Sequence, residues 1–127
     1  VTAASYDTGA AKAGGRRGRR LELRLFAAQR ISAMIMAPLV LIHLVTILVA
    51  VRGGLSADEI LARTEGSVLW GGFYGLFVVA AAVHAAIGLR GIVREWTPWH
   101  GRGLDVAALG FAALVLILGF RAVAAVV

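Results

Sequence analysis

The sequence predicts an all-α membrane protein of three transmembrane helices, with its N-terminus cytoplasmic and its C-terminus outside. Three observations carry that reading. Apolar residues make up 60% of the chain, well above the roughly 45–50% of an ordinary soluble domain. Three long runs carry no charge: Ile31 to Val51 over 21 residues, Trp70 to Leu89 over 20 and Val106 to Phe120 over 15. The 13 Lys and Arg residues are also unevenly placed. Ten lie before the first run or between the second and third, and only Arg52, Arg63 and Arg121 fall on the other side, which sets the orientation by the positive-inside bias.

Taken in order, residues 1–24 form a small, polar, basic arm ending in Arg16-Arg17-Gly18-Arg19-Arg20 and Arg24. It has too few large apolar side chains to pack a core, and is expected to be mobile or bound by a partner. Arg16-Arg17 suggests a twin-arginine export signal, but Arg24 and Arg30 interrupt the approach to the apolar run and no small-residue cleavage site follows it. Flanking charge is the simpler reading. The remainder, residues 25–127, is the three-helix anchor. About 20 residues at 1.5 Å each cross a hydrocarbon core of about 30 Å, so helices are expected at about 26–52, 67–95 and 104–126, the third with Arg121 reaching outward. Pro38 should kink the first of them. In the outer connection, Ser56-Ala57-Asp58-Glu59 has the form of a capping box, so a short surface helix is expected at about 56–64. Trp70, Phe73 and Tyr74 at one end of the second helix, and Trp96 and Trp99 beyond the other, agree with interfacial belts.

Composition also excludes. There is no cysteine, and hence no disulfide framework, thiolate metal site or cysteine nucleophile. The net charge of +6 is concentrated beside apolar runs, a pattern of topology rather than of nucleic-acid binding. The excess of Arg over Lys, with abundant Ala and Gly, suits a bacterial source and an inner-membrane location.

An ionisable side chain inside a bilayer is costly and asks for a functional reason. His43 and His84 qualify. Imidazole is a common axial ligand of haem iron, and His84 has small neighbours one turn away in Ala80 and Gly88, with Ala81 and Ala85 beside it. They form a flat wall against which a macrocycle can lie. Arg90, about 9 Å further along the axis, can reach a haem propionate. The alternative is that His84 hydrogen-bonds a neighbouring helix and the small residues serve close packing, as in Gly71-x-x-x-Gly75. His43 has bulkier neighbours in Leu39, Val40, Thr46 and Ile47, and a hydrogen bond to a carbonyl freed by Pro38 would also account for it. Counted from the charged ends, the two histidines sit at different depths, so one haem clamped between them is not expected. His100, beside Pro98 and Gly101, should be solvated. Gln29, Arg30, Ser32 and Trp96 can hydrogen-bond a quinone head group or serve as interfacial anchors, and spacing does not separate these roles.

The segment His84-Ala-Ala-Ile-Gly88-Leu-Arg90, followed by Arg94-Glu95-Trp96, resembles the second helix of the cytochrome b membrane-anchor subunits of succinate dehydrogenases and fumarate reductases. There an axial histidine opens an H-x-x-x-G motif and an acidic-aromatic pair follows. Gln29-Arg30-Ile31-Ser32-Ala33 is similar to the Arg-x-Ser-Gly region that opens their first helix, and the distance from Gln29 to His43 is similar to that in dihaem members. The resemblance implies three helices per anchor subunit, haem b (one or two, shared with a partner chain) and quinone as substrate. It makes His84 an axial ligand, His43 the ligand of a second haem, and Arg30 and Trp96 quinone-site residues. This sequence departs from the pattern at Trp96, where tyrosine is usual, and at Phe26, where many members have serine.

The function expected from the resemblance is that of a membrane-anchor and electron-transfer subunit of the respiratory chain and tricarboxylic acid cycle. It would be a non-catalytic or quinone-reactive subunit carrying electrons between an iron–sulfur subunit and quinone. Its partners would be flavoprotein and iron–sulfur subunits, a second anchor subunit or a second copy of itself, and the lipid bilayer. The competing readings are a cytochrome b subunit of another quinone-linked oxidoreductase, such as a hydrogenase or formate dehydrogenase, and a haem-free assembly or structural subunit.

Overall fold

The computed structural model describes residues 3–127, with side chains from Lys12 onward, and the described residues form four helices. These are α1 (Ala3–Arg52), α2 (Ala57–Thr64), α3 (Val68–Trp96) and α4 (Arg102–Val126). Among them, α1, α3 and α4 are long and apolar enough to cross a membrane.

The first helix begins at Ala3 rather than near residue 26, so the basic segment read as an arm is a helical extension of the first span. Residues 1 and 2 of that segment lie outside the described residues. The physical reason is cooperativity: once the apolar run has nucleated a helix, each further residue adds a hydrogen bond at little cost, and Ala and Arg are good helix formers. Pro38 lies inside α1, where its missing N–H leaves the Met34 carbonyl without its usual ladder bond.

After Arg52 the chain reverses through Gly54, at φ +66°, a left-handed conformation that glycine adopts without strain. The Leu55 N–H returns to the Ala50 carbonyl at 3.1 Å. The predicted capping box of α2 is present in both directions. Glu59 N–H donates to Ser56 Oγ at 3.3 Å, and Ser56 N–H donates to Glu59 Oε2 at 2.8 Å. Those bonds from the Ser56 backbone and side chain, with Arg63 nearby, hold the Glu59 carboxyl below the ordinary carboxylate range. A lowered folded-state pKa stabilises the helix at pH above the unfolded value and is lost as pH falls through the folded one. Below about pH 4, α2 is therefore expected to fray, seen as faster amide exchange at Ser56 and Glu59. A Ser56→Ala variant should show that fast exchange already at neutral pH, and unchanged exchange across this range would refute the cap.

Helices α3 and α4 pack closely and antiparallel through small residues. A Cβ at Gly71 would meet Val127 at 3.2 Å and one at Gly75 would meet Phe120 at 3.6 Å, so the Gly71-x-x-x-Gly75 pair faces α4. Ala80, Ala82 and Ala86 are buried along α3. Most large apolar side chains on α1 and α4 are exposed, as expected where lipid or another chain supplies the surroundings.

Candidate functional site

Contacts between α1 and α3 set an antiparallel register that decides which residues meet. Glu22 lies level with Arg90 and Arg94, Gln29 with Gly88, Ser32 with His84, and His43 with Tyr74. His84 and His43 therefore stand about ten residues apart along α3, or about 15 Å. One pair of facing ligands cannot be made from the two, as their sequence depths suggested.

His84 is half-buried against α1. Its Nδ1 lies 3.3 Å from the Gln29 carbonyl oxygen and 3.5 Å from Ser32 Oγ. Ser32, itself buried, donates its hydroxyl to the same carbonyl at 2.8 Å. A carbonyl can only accept, so a hydrogen bond from the ring to Gln29 takes the tautomer with its hydrogen on Nδ1, which leaves the lone pair on Nε2. Among the described residues Nε2 has no hydrogen-bond partner. A ring oriented through Nδ1–H with a free Nε2 is the usual arrangement of a metal-ligating histidine. No group of three His, Cys, Asp or Glu converges among the described residues.

His43 is placed differently. Its ring meets Tyr74 edge-on, with centroids 5.7 Å apart, and its Nδ1 is buried with no partner among the described residues. The bond to a carbonyl freed by Pro38 is thus not made by Nδ1. Thr46 instead donates to His43's own carbonyl at 2.7 Å. His100 is exposed and turned onto the Pro98 carbonyl.

The remaining sequence candidates divide. Gln29 and Ser32 join His84 in one cluster. Arg30 is exposed and lies over the Phe26 ring, 5.9 Å from its centroid. Trp96 is 84% exposed and stands twelve residues beyond His84, about 18 Å along the axis, so within this chain it does not meet Gln29 or Ser32. The small-residue wall lies partly inside the chain. A Cβ at Gly88 would meet the Gln29 carboxamide nitrogen at 3.2 Å and Ala80 is buried, while Ala81 is half-buried.

Arg90 is engaged by two carboxylates. Its Nε donates to Asp105 at 2.7 Å and its Nη2 to Glu22 at 3.1 Å, and Arg94 also binds Glu22 at 2.7 Å. This clamp joins α1, α3 and α4, and sequence reasoning missed it. The available signal was that Glu22 and Asp105 are two of only seven acidic residues in the chain, and both flank apolar runs at the arginine-rich end. Beside the clamp, an apolar cleft of about 260 Å³ opens between Leu21, Leu25, Ile87 and Leu109. A second, of about 340 Å³, lies at the other end between α1, α2 and α3, lined by Ile60, Arg63, Trp70 and Tyr74 among others.

Three helices long and apolar enough to cross a membrane, joined at one end by a charged clamp, define the class: a small, multi-pass membrane protein. Residues 13–126 match the family model of the succinate dehydrogenase/fumarate reductase transmembrane subunit. The chain belongs to that family, whose members anchor complex II to the membrane. No curated protein and no solved structure gives a significant match to it.

Proposed function

We propose that this chain is the haem b-bearing anchor of a succinate dehydrogenase or fumarate reductase, carrying electrons between the iron–sulfur subunit and membrane quinone. The observation that carries the reading is His84, whose Nδ1 lies 3.3 Å from the Gln29 carbonyl oxygen while Nε2 has no partner among the described residues. When bound, a haem supplies a one-electron relay. The residues of this chain would do the rest: His84 would hold the iron through Nε2, with Gln29 and Ser32 orienting its ring, and a second anchor chain or a second copy would supply any further ligand. Because the clamp occupies Arg90 from both sides, its help to a propionate would be shared with Asp105 and Glu22. His43 is the candidate ligand of a second haem, and the weaker one, since no acceptor orients its ring.

Quinone would bind near the His84 level, with the Gln29 carboxamide and the Arg30 guanidinium as donors and Ser32, whose hydroxyl hydrogen goes to the Gln29 carbonyl, beside them. Trp96 belongs instead to the exposed end where an extrinsic subunit seats. The bias of positive charge supports a cytoplasmic position for that end and the N-terminus, and the Arg-, Ala- and Gly-rich composition suits a bacterial inner membrane. Family membership favours this complex over the cytochromes of hydrogenases or formate dehydrogenases.

A dithionite-reduced visible spectrum of the complex purified through this chain tests the reading. Sharp b-type bands are expected, together with a co-purifying flavoprotein. A complex that contains the flavoprotein but has no such bands reduces the chain to a haem-free structural anchor.

A further inference from the structure

The part of α1 ahead of Glu22 carries a charged ridge that the bundle does not use. Lys12, Arg16, Arg17, Arg19, Arg20 and Arg24 are all exposed, and none forms an ion pair among the described residues. At about 100° per residue, Arg16, Arg20 and Arg24 stack along one side of the helix, flanked by the other three. The α1 residues that meet the bundle, Glu22, Gln29, Ser32 and His43, centre roughly 160° around the axis from that ridge. Between Lys12 and Arg30 the only acidic residue is Glu22, and Arg90 and Arg94 already hold it.

Height decides what the ridge can meet. The charge-free span starts at Ile31. Along a continuous helix, Arg20 and Arg16 lie about 15 and 21 Å beyond Arg30, and an ordinary tilt of about 20° shortens this by little. The headgroup layer is only about 5–8 Å thick on each side. Arg16 and Arg20 therefore stand beyond lipid and in the space of a membrane-extrinsic protein, with Arg24, about 9 Å beyond Arg30, at the edge of the headgroup layer. A notch of about 490 Å³ with Gly14 and Gly18 at its floor and Arg17, Arg20 and Arg24 at its walls gives guanidinium forks access to carboxylates, which they bind in bidentate fashion. Three glycines in this stretch, Gly14, Gly15 and Gly18, each weaken an isolated helix, so a partner laid along it would also hold it helical.

We propose that the Arg16, Arg20 and Arg24 ridge is a docking surface for an acidic patch of a membrane-extrinsic subunit of the complex. The inference rests on the reading of this chain as the anchor of such subunits, and it assigns the contact to a helix standing clear of the membrane.

The test is a salt wash of native membranes carrying the whole complex. An Arg16→Glu/Arg20→Glu variant is expected to retain about tenfold less extrinsic subunit than wild type at about 0.15 M salt, with the reduced haem spectrum unchanged. Arg16→Lys/Arg20→Lys should retain most of it. Where the Glu variant fails to accumulate, Arg16→Gln/Arg20→Gln serves, with a smaller loss in the same direction. Equal retention across wild type and variants overturns the proposal. So does protection of residues 12–20 from hydrogen exchange by phosphatidylglycerol vesicles when the extrinsic subunits give none, since the ridge would then serve lipid. If the wild-type chain brings no flavoprotein or iron–sulfur subunit at low salt, the anchor reading itself fails, and the ridge proposal falls with it. Partners that co-purify yet ignore the ridge overturn the docking surface alone.

Discussion

A His84→Ala variant, purified with its partner subunits, is expected to lose the b-type absorbance of the haem held at His84, while the polypeptides still assemble. The expectation follows from the geometry of one ring. With Nδ1 turned to the Gln29 carbonyl at 3.3 Å, Nε2 is the ring nitrogen left to bind iron. No other imidazole can replace it, because His43 is about 15 Å away along the helix and His100 is on an exposed loop. Removing the ring also leaves a small vacancy beside Ser32 that free imidazole can enter, so adding millimolar imidazole should restore part of the absorbance. Rescue of this kind separates a lost ligand from a lost fold. A Ser32→Ala variant should keep its haem, since the Gln29 carbonyl still accepts from Nδ1, but with a measurable change in midpoint potential as the carbonyl gives up its second donor. Full haem content in His84→Ala would remove the ligand assignment outright.

What the sequence disclosed and what it withheld divide along one physical line, between properties of a single helix and contacts between helices. The three apolar spans, the Ser56–Glu59 capping box and the closely packed Gly71 and Gly75 are set by local pattern, and each was legible. The partners of Arg90 were not. Glu22 and Asp105 lie 68 and 15 residues from it, and only the register of three helices brings them to one guanidinium. The same register explains the candidate site. His84, Gln29 and Ser32 were all singled out by residue type, but that the Gln29 backbone rather than its side chain would face the imidazole depends on how α1 is turned. Trp96 matched a family motif in sequence, yet the rise of α3 carries it away from the other quinone candidates. The helical continuation of α1 through its glycines was hidden because local propensity alone does not include the nucleus that the membrane span provides.

The α3–α4 seam should be equally unforgiving at a position the sequence did not mark. A Cβ at Gly119 would stand 2.5 and 2.9 Å from the two methyl carbons of Val78, closer than real side chains come. Val78 is β-branched and held to essentially one rotamer within a helix, so it cannot swing aside cheaply. For Gly119→Ala, the gain in helix propensity of about 1 kcal/mol opposes an overpacking cost of about 1–3 kcal/mol, leaving a modest net loss. Gly119→Leu has no such offset, since it adds three further carbons to a seam already in contact. Between helices in a bilayer there is little hydrophobic drive, and close packing is what holds them together, so α4 should detach and the assembled complex should fall to a small fraction of wild type. The informative variant is the double one, Gly119→Ala with Val78→Ala, which removes both Val78 methyl groups as it adds one carbon at position 119 and so relieves the clash. Its thermal stability should exceed that of Gly119→Ala alone, a coupling of about 1–3 kcal/mol of the kind seen for residues in direct contact. Equal assembly of Gly119→Leu and wild type, or additive single-variant effects, would mean that α3 and α4 do not meet at Val78.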